Sequence, residues 1–377
     1  MYKRQYELYL RGRDRAASGD PAGALEFYEQ AVRDGETFAE LDAAYSDALY
    51  RALSDGGPSD PVRAEARLRA AATRAAAADP DLAQAPLAQA MAATSLPESL
   101  AHVRRALDLD PSLSAAYQFA AHQLVEIDPA RAIRFAERAL ELDPGAVDAA
   151  LDLVHAEARL DRFERAERAL ESARERLPEA IAWPAQLARL RFEQAQYEAG
   201  LRGLGDASEL GRRPMLAVVM IAARQQAGQP EAARASTAEL VAARPGFCEA
   251  RAIEVALQTE AGERRAARDA AERLMAEADA ANGRPRAVGC AALAAAGIHD
   301  TASTAAVLRR IADSDAALRA WLFPVNGISV RTMLRREWYP WSQVARDPEV
   351  LKATAAIDQR IEEWRSSVAG LLADLLD

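Results

Sequence analysis

Lysine is nearly missing from this chain of 377 residues: Lys3 and Lys352 are the only two among 47 basic residues, and the rest are arginine. Acidic residues outnumber them at 57, which leaves a formal net charge of −10. The arginines alternate with acids, as in Arg162, Glu164, Arg165, Glu167 and Arg168. Alternation at helical spacing gives solvated faces tied by i,i+4 pairs. Nucleic-acid binding needs a continuous basic stripe, and none is visible. Cysteine is equally scarce. Cys248 and Cys290 are too few for a disulfide framework and fit a reducing compartment. No run reaches the roughly 18 apolar residues of a membrane span, and residues 1–7 contain no apolar signal region. A soluble, cytoplasmic protein that binds neither nucleic acid nor membrane is therefore expected.

Catalytic groupings are also lacking. The four histidines, His102, His122, His155 and His299, form no His-x-x-x-His pair, and neither cysteine has a second ligand at metal spacing. The glycines of 200–205 superficially suggest a phosphate loop but follow no strand and stand in the wrong order for a dinucleotide fingerprint, so they read as a loosened second helix. No serine sits in a nucleophile elbow. The expectation is a chain with no catalytic residue, no metal and no cofactor.

What the chain does contain is alanine and regularly placed proline. Half of its residues are hydrophobic, Ala foremost, and only 6% are aromatic. Alanine has the best helix propensity and lets helices approach closely. Asp79-Pro80, Asp110-Pro111 and Asp143-Pro144 each follow a short Ala- or Leu-rich run, and Pro80, Pro111, Pro144, Pro178, Pro214 and Pro245 lie 31, 33, 34, 36 and 31 residues apart. Such a period marks a helical solenoid, whose repeats bury their apolar faces only against one another. Within a unit, Gly19-Asp20-Pro21 separates helices over 6–17 and 22–34, and Gly228-Gln229-Pro230 separates 215–227 from 231–244. Proline suits the first turn of a second helix and stops a preceding one.

The chain resembles the tetratricopeptide repeat family. Gly12, Ala24, Tyr28 and Ala31 occupy that motif's small and aromatic positions, as do Tyr117, Ala121, Ala132 and Ala139, and then Val154, Phe163, Ala166 and Ala173. The resemblance implies an all-α, right-handed superhelical solenoid of about eight units over 1–320, an irregular aromatic-rich cap over 321–347 and an amphipathic C-terminal helix over 348–377. Register is unsettled around 54–60 and 261–285. Residues 6–13 with 24–31, and Trp338-Tyr339-Pro340-Trp341 with 346–350, are similar to the two ends of bacterial repeat arrays that follow an effector domain of adenylate cyclase, winged-helix or TIR type. With the sequence beginning at the first repeat, an excised sensor or a stand-alone relative of such arrays is expected.

The family pattern, carried onto three first helices, lines a concave groove with Gln118, His122 and Val125, then Leu151, His155 and Ala158, then Ala185, Arg189 and Phe192. An apolar wall with a few polar groups suits an extended or helical peptide. Both His122 and His155 stand in the third turn of a first helix, as polar lining or as ligand contacts. Arg168, in contrast, lies on a charged second-helix face. Clamps for a C-terminal carboxylate use stacked Asn and Lys, and here the only asparagines are Asn282 and Asn326. Beyond residue 320 the period breaks, and Trp321, Phe323, Trp338, Tyr339 and Trp341 crowd together around an Asn326-Gly327 turn signal, either as an end cap or as an aromatic pocket. A helix from 348 to about Leu376 follows. Its stripe of Ile357, Ile361, Trp364, Val368, Leu371 and Leu375 either packs back on the last repeats or forms a homodimer seam. Packing back, and hence a monomer, is favoured.

A binding scaffold for an unidentified protein or peptide is the leading functional expectation. The alternatives are a sensor module for a small molecule or an effector domain, and an oligomerisation module working through the C-terminal helix.

Overall fold

A computed structural model describes residues 3–17, 20–54, 61–176, 183–204, 214–280, 285–322 and 339–376. Among these the chain forms twenty α-helices and one 3-10 turn, and no strand. It divides into two compact units: Met1–Leu153 with Arg176–Ala180 and Ser366–Asp377, and Val154–Glu175 with Ile181–Arg365. Pro178, the 54–60 loop beyond Ser54, Asn282, Phe323, the Asn326-Gly327 turn and Trp338 lie outside the described residues.

The first unit holds α1 (Lys3–Ala17), α2 (Pro21–Arg33), α3 (Ala39–Ser54), α4 (Pro61–Ala78), α5 (Gln84–Ala92), α6 (Leu96–Leu109), α7 (Ser114–Leu124), α8 (Pro129–Leu142) and the start of α9 (Val147–Arg159). Asp-Pro does two separate jobs here. After α4, α6 and α8, the carboxylates of Asp79, Asp110 and Asp143 accept the backbone N–H two residues on, from Asp81, Ser112 and Gly145, at 3.0, 2.9 and 2.9 Å. Each closes an Asx turn, and the proline blocks further helix. Before α2 and α8, Asp20 and Asp128 instead accept from the third residue on, Gly23 and Arg131, as N-caps with proline at the first helical position.

The remaining helices are α10 (Phe163–Arg176), α11 (Trp183–Glu193), α12 (Tyr197–Gly203), α13 (Pro214–Gln226), α14 (Pro230–Ala243), α15 (Cys248–Glu260), α16 (Arg264–Ala280), α17 (Pro285–Gly297), α18 (Thr301–Ala312), α19 (Asp315–Leu322) and α20 (Pro348–Leu371). α10 lies in the second unit save Arg176, and α20 passes into the first unit at Ser366. Five successive helix pairs, from α9–α10 to α17–α18, are turned the same way. One residue takes left-handed φ: Asp161 at 56°, Ala195 at 58°, Gly228 at 72°, Gly262 at 82° and His299 at 59°. The next residue's N–H reaches back five positions, from Arg162 to Glu157, Gln196 to Arg191, Gln229 to Arg224, Glu263 to Gln258 and Asp300 to Ala295. This is the Schellman closure, which satisfies carbonyls that the helix end leaves open. His299 is thereby a turn residue. Pro214 departs from its series: it opens α13 rather than following a second helix.

Helices α1 to α18 pair into nine hairpins among the described residues, where the resemblance implies about eight units. The residues that carry the family pattern form the core. Ala24, Tyr28, Ala31, Tyr117, Ala121, Ala132, Ala139, Val154, Ala166 and Ala173 are all buried. Val154, Ala158, Ala166, Leu170 and Leu190 make one cluster, with Phe163 and Trp183 against it. Small residues set the helix–helix distance. A Cβ on Gly12 would lie 2.3 Å from Tyr28 Cε1, and one on Gly200 would lie 2.5 Å from Phe192 Cε1 and 2.9 Å from the carbonyl oxygen of Ala188. At Gly200 one obstacle is backbone, which cannot rotate aside. Gly200→Ala should therefore destabilise the second unit by about 1–3 kcal/mol; an unchanged urea midpoint would show that α11 and α12 are not in this close contact.

In α20, Val350, Ala353, Ile357, Ile361, Trp364 and Val368 are buried within the single chain. The stripe then shifts by one: the helix ends at Leu371 rather than near Leu376, so Leu371 and Leu375 are half-buried and Leu372 takes the buried place. Within the second unit Arg360 meets Asp315 at 2.5 Å and Arg309 meets Glu349 at 3.2 Å. Within the first, Arg104 holds Asp374 at 2.5 and 2.9 Å and donates to the Leu371 carbonyl, while Arg134 donates to that of Leu376. Of the aromatic segment, Trp321, Tyr339 and Trp341 are buried, with Trp321 edge-on to Trp341 at 5.7 Å between centroids.

Candidate functional site

In the first unit, Gln118 and His122 stand one turn apart on α7, and Asp148 and Asp152 one turn apart on α9. The helices are thus joined rung by rung. Gln118 Nε2 donates to Asp148 Oδ2 at 3.1 Å, and His122 Nδ1 meets Asp152 Oδ1 at 3.1 Å. Arg51 of α3 extends the ladder, reaching Asp148 at 2.5 Å and Asp47 at 2.9 Å, and Gln123 donates to the Tyr50 hydroxyl at 3.2 Å. Asp152 is buried, whereas the side chains of His122, Arg51 and Asp148 keep 35, 41 and 48% of their surface in water. Leu151, half-buried, precedes Asp152, and Val125 is buried. Of the expected lining, Gln118 and His122 pair with two carboxylates, Asp148 and Asp152, that went unnoticed among the general acidic background.

Burial alone would lower the His122 pKa, but the Asp152 carboxylate, with Asp148 behind it, outweighs that effect and raises it above the ordinary 6.5. His102 is shifted the other way, downward by burial. A raised folded-state pKa stabilises fully below the unfolded value and is lost as pH rises through the folded one. The wild-type chain should therefore lose stability on going from below pH 6.5 upward through the folded pKa, relative to Asp152→Asn, in which burial acts with its main opponent removed and that slope should shrink or reverse. Urea midpoints of both chains across this range measure the difference, which cancels the opposite contribution of His102.

In the second unit, three residues of the expected groove are corrected. Arg189 is 2% exposed, and its Nε lies 3.8 Å from Oε1 of Glu193, itself buried and also held by Arg159. The guanidinium is an interior ion-pair partner, not a surface for an acidic ligand. Phe192 is fully buried against Gly200, and so fills the gap between α11 and α12. His155, at 5% exposure, is interior too, and its Nε2 has no hydrogen-bond partner among the described residues. Ala158 and Ala185 are likewise buried.

An open cleft of about 610 Å³ lies instead on the charged face of α10. Glu164, Glu167, Arg168, Glu171 and Arg174 line it, opposite Trp183, Pro184, Leu187 and Gly203, with Leu170 also in its wall. Arg168, expected on a merely solvated face, is part of this wall. The one sequence signal for the cleft was Trp183-Pro184, a large aromatic in an alanine-rich array.

The two cysteines, expected to be unpaired thiols, form a disulfide across 42 residues. Cys248 opens α15 and Cys290 lies inside α17; the pairing follows from the side-by-side first helices of adjacent repeats. With Glu249 they are the one set of possible metal donors found among the described residues, within 4.8 Å of one another. The sulfurs are bonded to each other, and Glu249 binds Arg286 at 2.6 and 3.1 Å.

Helix pairs with this turn chemistry and core define an all-α protein of the helical-solenoid class. Over residues 123–190, from α7 into α11, the chain matches the family model described as tetratricopeptide repeat. Among solved structures the chain is similar to the Rap protein complexed with Competence and Sporulation Factor, at 12% identity over 97% of this chain and 98% of that one, with a TM-score of 0.50. It is also similar to a tetratricopeptide repeat protein from Parabacteroides merdae, at 15% identity over 65% of this chain and 95% of the other, with a TM-score of 0.43. Yeast Tom70 matches at 15% identity over 96% of this chain but 62% of its own, with a TM-score of 0.44. No curated protein matches the sequence. At such identities the likeness is one of fold. No helix among the described residues is long and apolar enough to cross a membrane.

Proposed function

We propose that the chain is a non-catalytic scaffold that binds a segment of another protein along the α7–α9 face of its first unit. The observation that carries this is the half-exposed ladder of Gln118, His122, Arg51 and Asp148 beside half-buried Leu151. A bound segment needs donors and acceptors for its backbone and an apolar seat for its side chains, and this face offers both. Three carboxylates, Asp47, Asp148 and Asp152, stand there against Arg51 and His122, which favours a segment carrying Lys or Arg beside an apolar residue. Rap, of the same fold, was solved in complex with Competence and Sporulation Factor. The similarity of the chain's ends to bacterial signalling arrays makes a regulatory setting part of the proposal.

A second reading, a small-molecule sensor, rests on the cleft at Trp183, whose volume falls in the range of ligand sites. One experiment separates them. Peptide display on the immobilised chain should enrich basic–apolar peptides whose affinity falls at least tenfold in Leu151→Asp and Asp148→Arg and is unchanged in Leu187→Asp. No enrichment, or loss only with the cleft variant, would refute the first-unit site. The stripe of α20 is buried in the single chain, so a monomer is expected at every concentration used.

A further inference from the structure

We infer that the Cys248–Cys290 bridge is a thiol-exchange site, attacked by small thiols at Cys248 alone, whose opening uncouples α15 from α17. The two sulfurs are unequal. Cys248 is half-buried at the first position of α15, behind a Phe247 cap that supplies no side-chain hydrogen bond. Cys290 is 2% exposed in the middle of α17. A thiolate in solution can reach only the outer sulfur. Its attack forms a mixed disulfide on Cys248 and breaks the bond to Cys290, which leaves as a thiolate and takes a proton from water. A second thiol then attacks the mixed disulfide, releases its own oxidised dimer and frees Cys248 as a thiolate. At a helix N-terminus that thiolate is favoured by the unpaired N–H groups, although Glu249 Oε2, 3.6 Å from Sγ, opposes it. The reductant is thus a low-molecular-weight thiol, and reoxidation uses the corresponding disulfide.

The bridge matters mechanically because it ties the ends of one whole repeat, α15 with α16, to the first helix of the next. Beside it, Glu249–Arg286 joins the same two helices, with the Arg286 guanidinium 5.1 Å from the Phe247 ring centre. Reduction therefore removes the covalent tie but leaves an ion pair to hold the register, as a reversible coupling requires.

The oxidised full chain, exposed briefly to reduced glutathione near neutral pH, acid-quenched and peptide-mapped, should carry glutathione on Cys248 and none on Cys290. Treated instead with oxidised glutathione, whose disulfide the free thiolate attacks with release of one reduced glutathione, Cys290→Ser should accumulate the Cys248 adduct, and Cys248→Ser should take none until denatured. Full reduction should lower the melting temperature by about 5–10 °C and speed amide exchange in α15 and α17 at least tenfold, with α11 unaffected. An adduct on Cys290, or no exchange without denaturant, would overturn the exchange site. Unchanged amide exchange on reduction would overturn the coupling. The wild-type quench decides the first point even if a serine variant fails to fold.

Discussion

Glu193→Ala should cost the second unit about 3–5 kcal/mol, because it removes a buried counter-charge shared by two guanidiniums. Glu193 is 2% exposed and its side chain wholly enclosed; the side chains of Arg159 and Arg189 keep 8 and 3% of their surface. A charge in that setting has lost most of its hydration, so an attraction that would be minor on the surface becomes hard to replace. Glu171→Ala is the control. Glu171 faces Arg174 at 3.8 Å with 64% of its side chain in solvent, and its loss should stay within about 0.5 kcal/mol. Replacing Arg159, Arg189 and Glu193 together by methionine should recover most of the loss, since uncharged side chains of similar volume need no counter-ion. Urea titrations of the four chains test this. A Glu193→Ala penalty no larger than that of Glu171→Ala would show that the cluster is hydrated and carries no structural weight.

The class of fold was legible because its determinants are local. Asp followed by Pro writes an Asx turn or an N-cap into neighbouring residues, and the alanines at the helix crossings need no distant partner to be recognised. Helix ends were misplaced mostly by about one residue in the repeats, but by five at the C-terminus, where the helix stops at Leu371 rather than near Leu376 and Leu372 takes over the stripe. Long-range pairings were not legible. Nothing in the spacing of two cysteines 42 residues apart says that α15 and α17 run side by side with those sulfurs in contact.

The candidate site divides along the same line. Gln118 and His122 were found through their place in a repeat, but Asp148 and Asp152 look like any other acids until the helix carrying them is set against α7. Arg189 failed for the converse reason: a position that faces a groove in an ideal repeat is enclosed here, with Glu193, one turn later, as a counter-charge beside its guanidinium. The cleft on α10 was hidden because five charged residues in one helix read as a solvated face, and only Trp183 and Leu187, brought opposite by α11, turn that face into a wall.

Ile361→Asp should lower the stability of a monomer by about 3–5 kcal/mol, and should not change its mass in solution. Ile361 is 2% exposed, between Ile357 at 1% and Trp364 at 3%. Replacing it removes the transfer free energy of a large aliphatic side chain and puts a carboxylate among apolar neighbours. Ile361→Ala supplies the milder case, a cavity without a charge, at about 2–4 kcal/mol. The surface pairs cannot hold the helix in place of the stripe. Arg360–Asp315 and Arg309–Glu349 keep between 36 and 61% of their side-chain surface in water, and such pairs contribute about 0–1 kcal/mol each. The penalty should therefore be recovered by an apolar residue at 361, as in Ile361→Leu, and not by added salt bridges on the outer face. Light scattering joined to thermal melts separates this packing within one chain from a dimer seam. A wild-type dimer that Ile361→Asp converts to a monomer, with the melting temperature of the repeats unchanged, would mean that the stripe is buried between two copies instead.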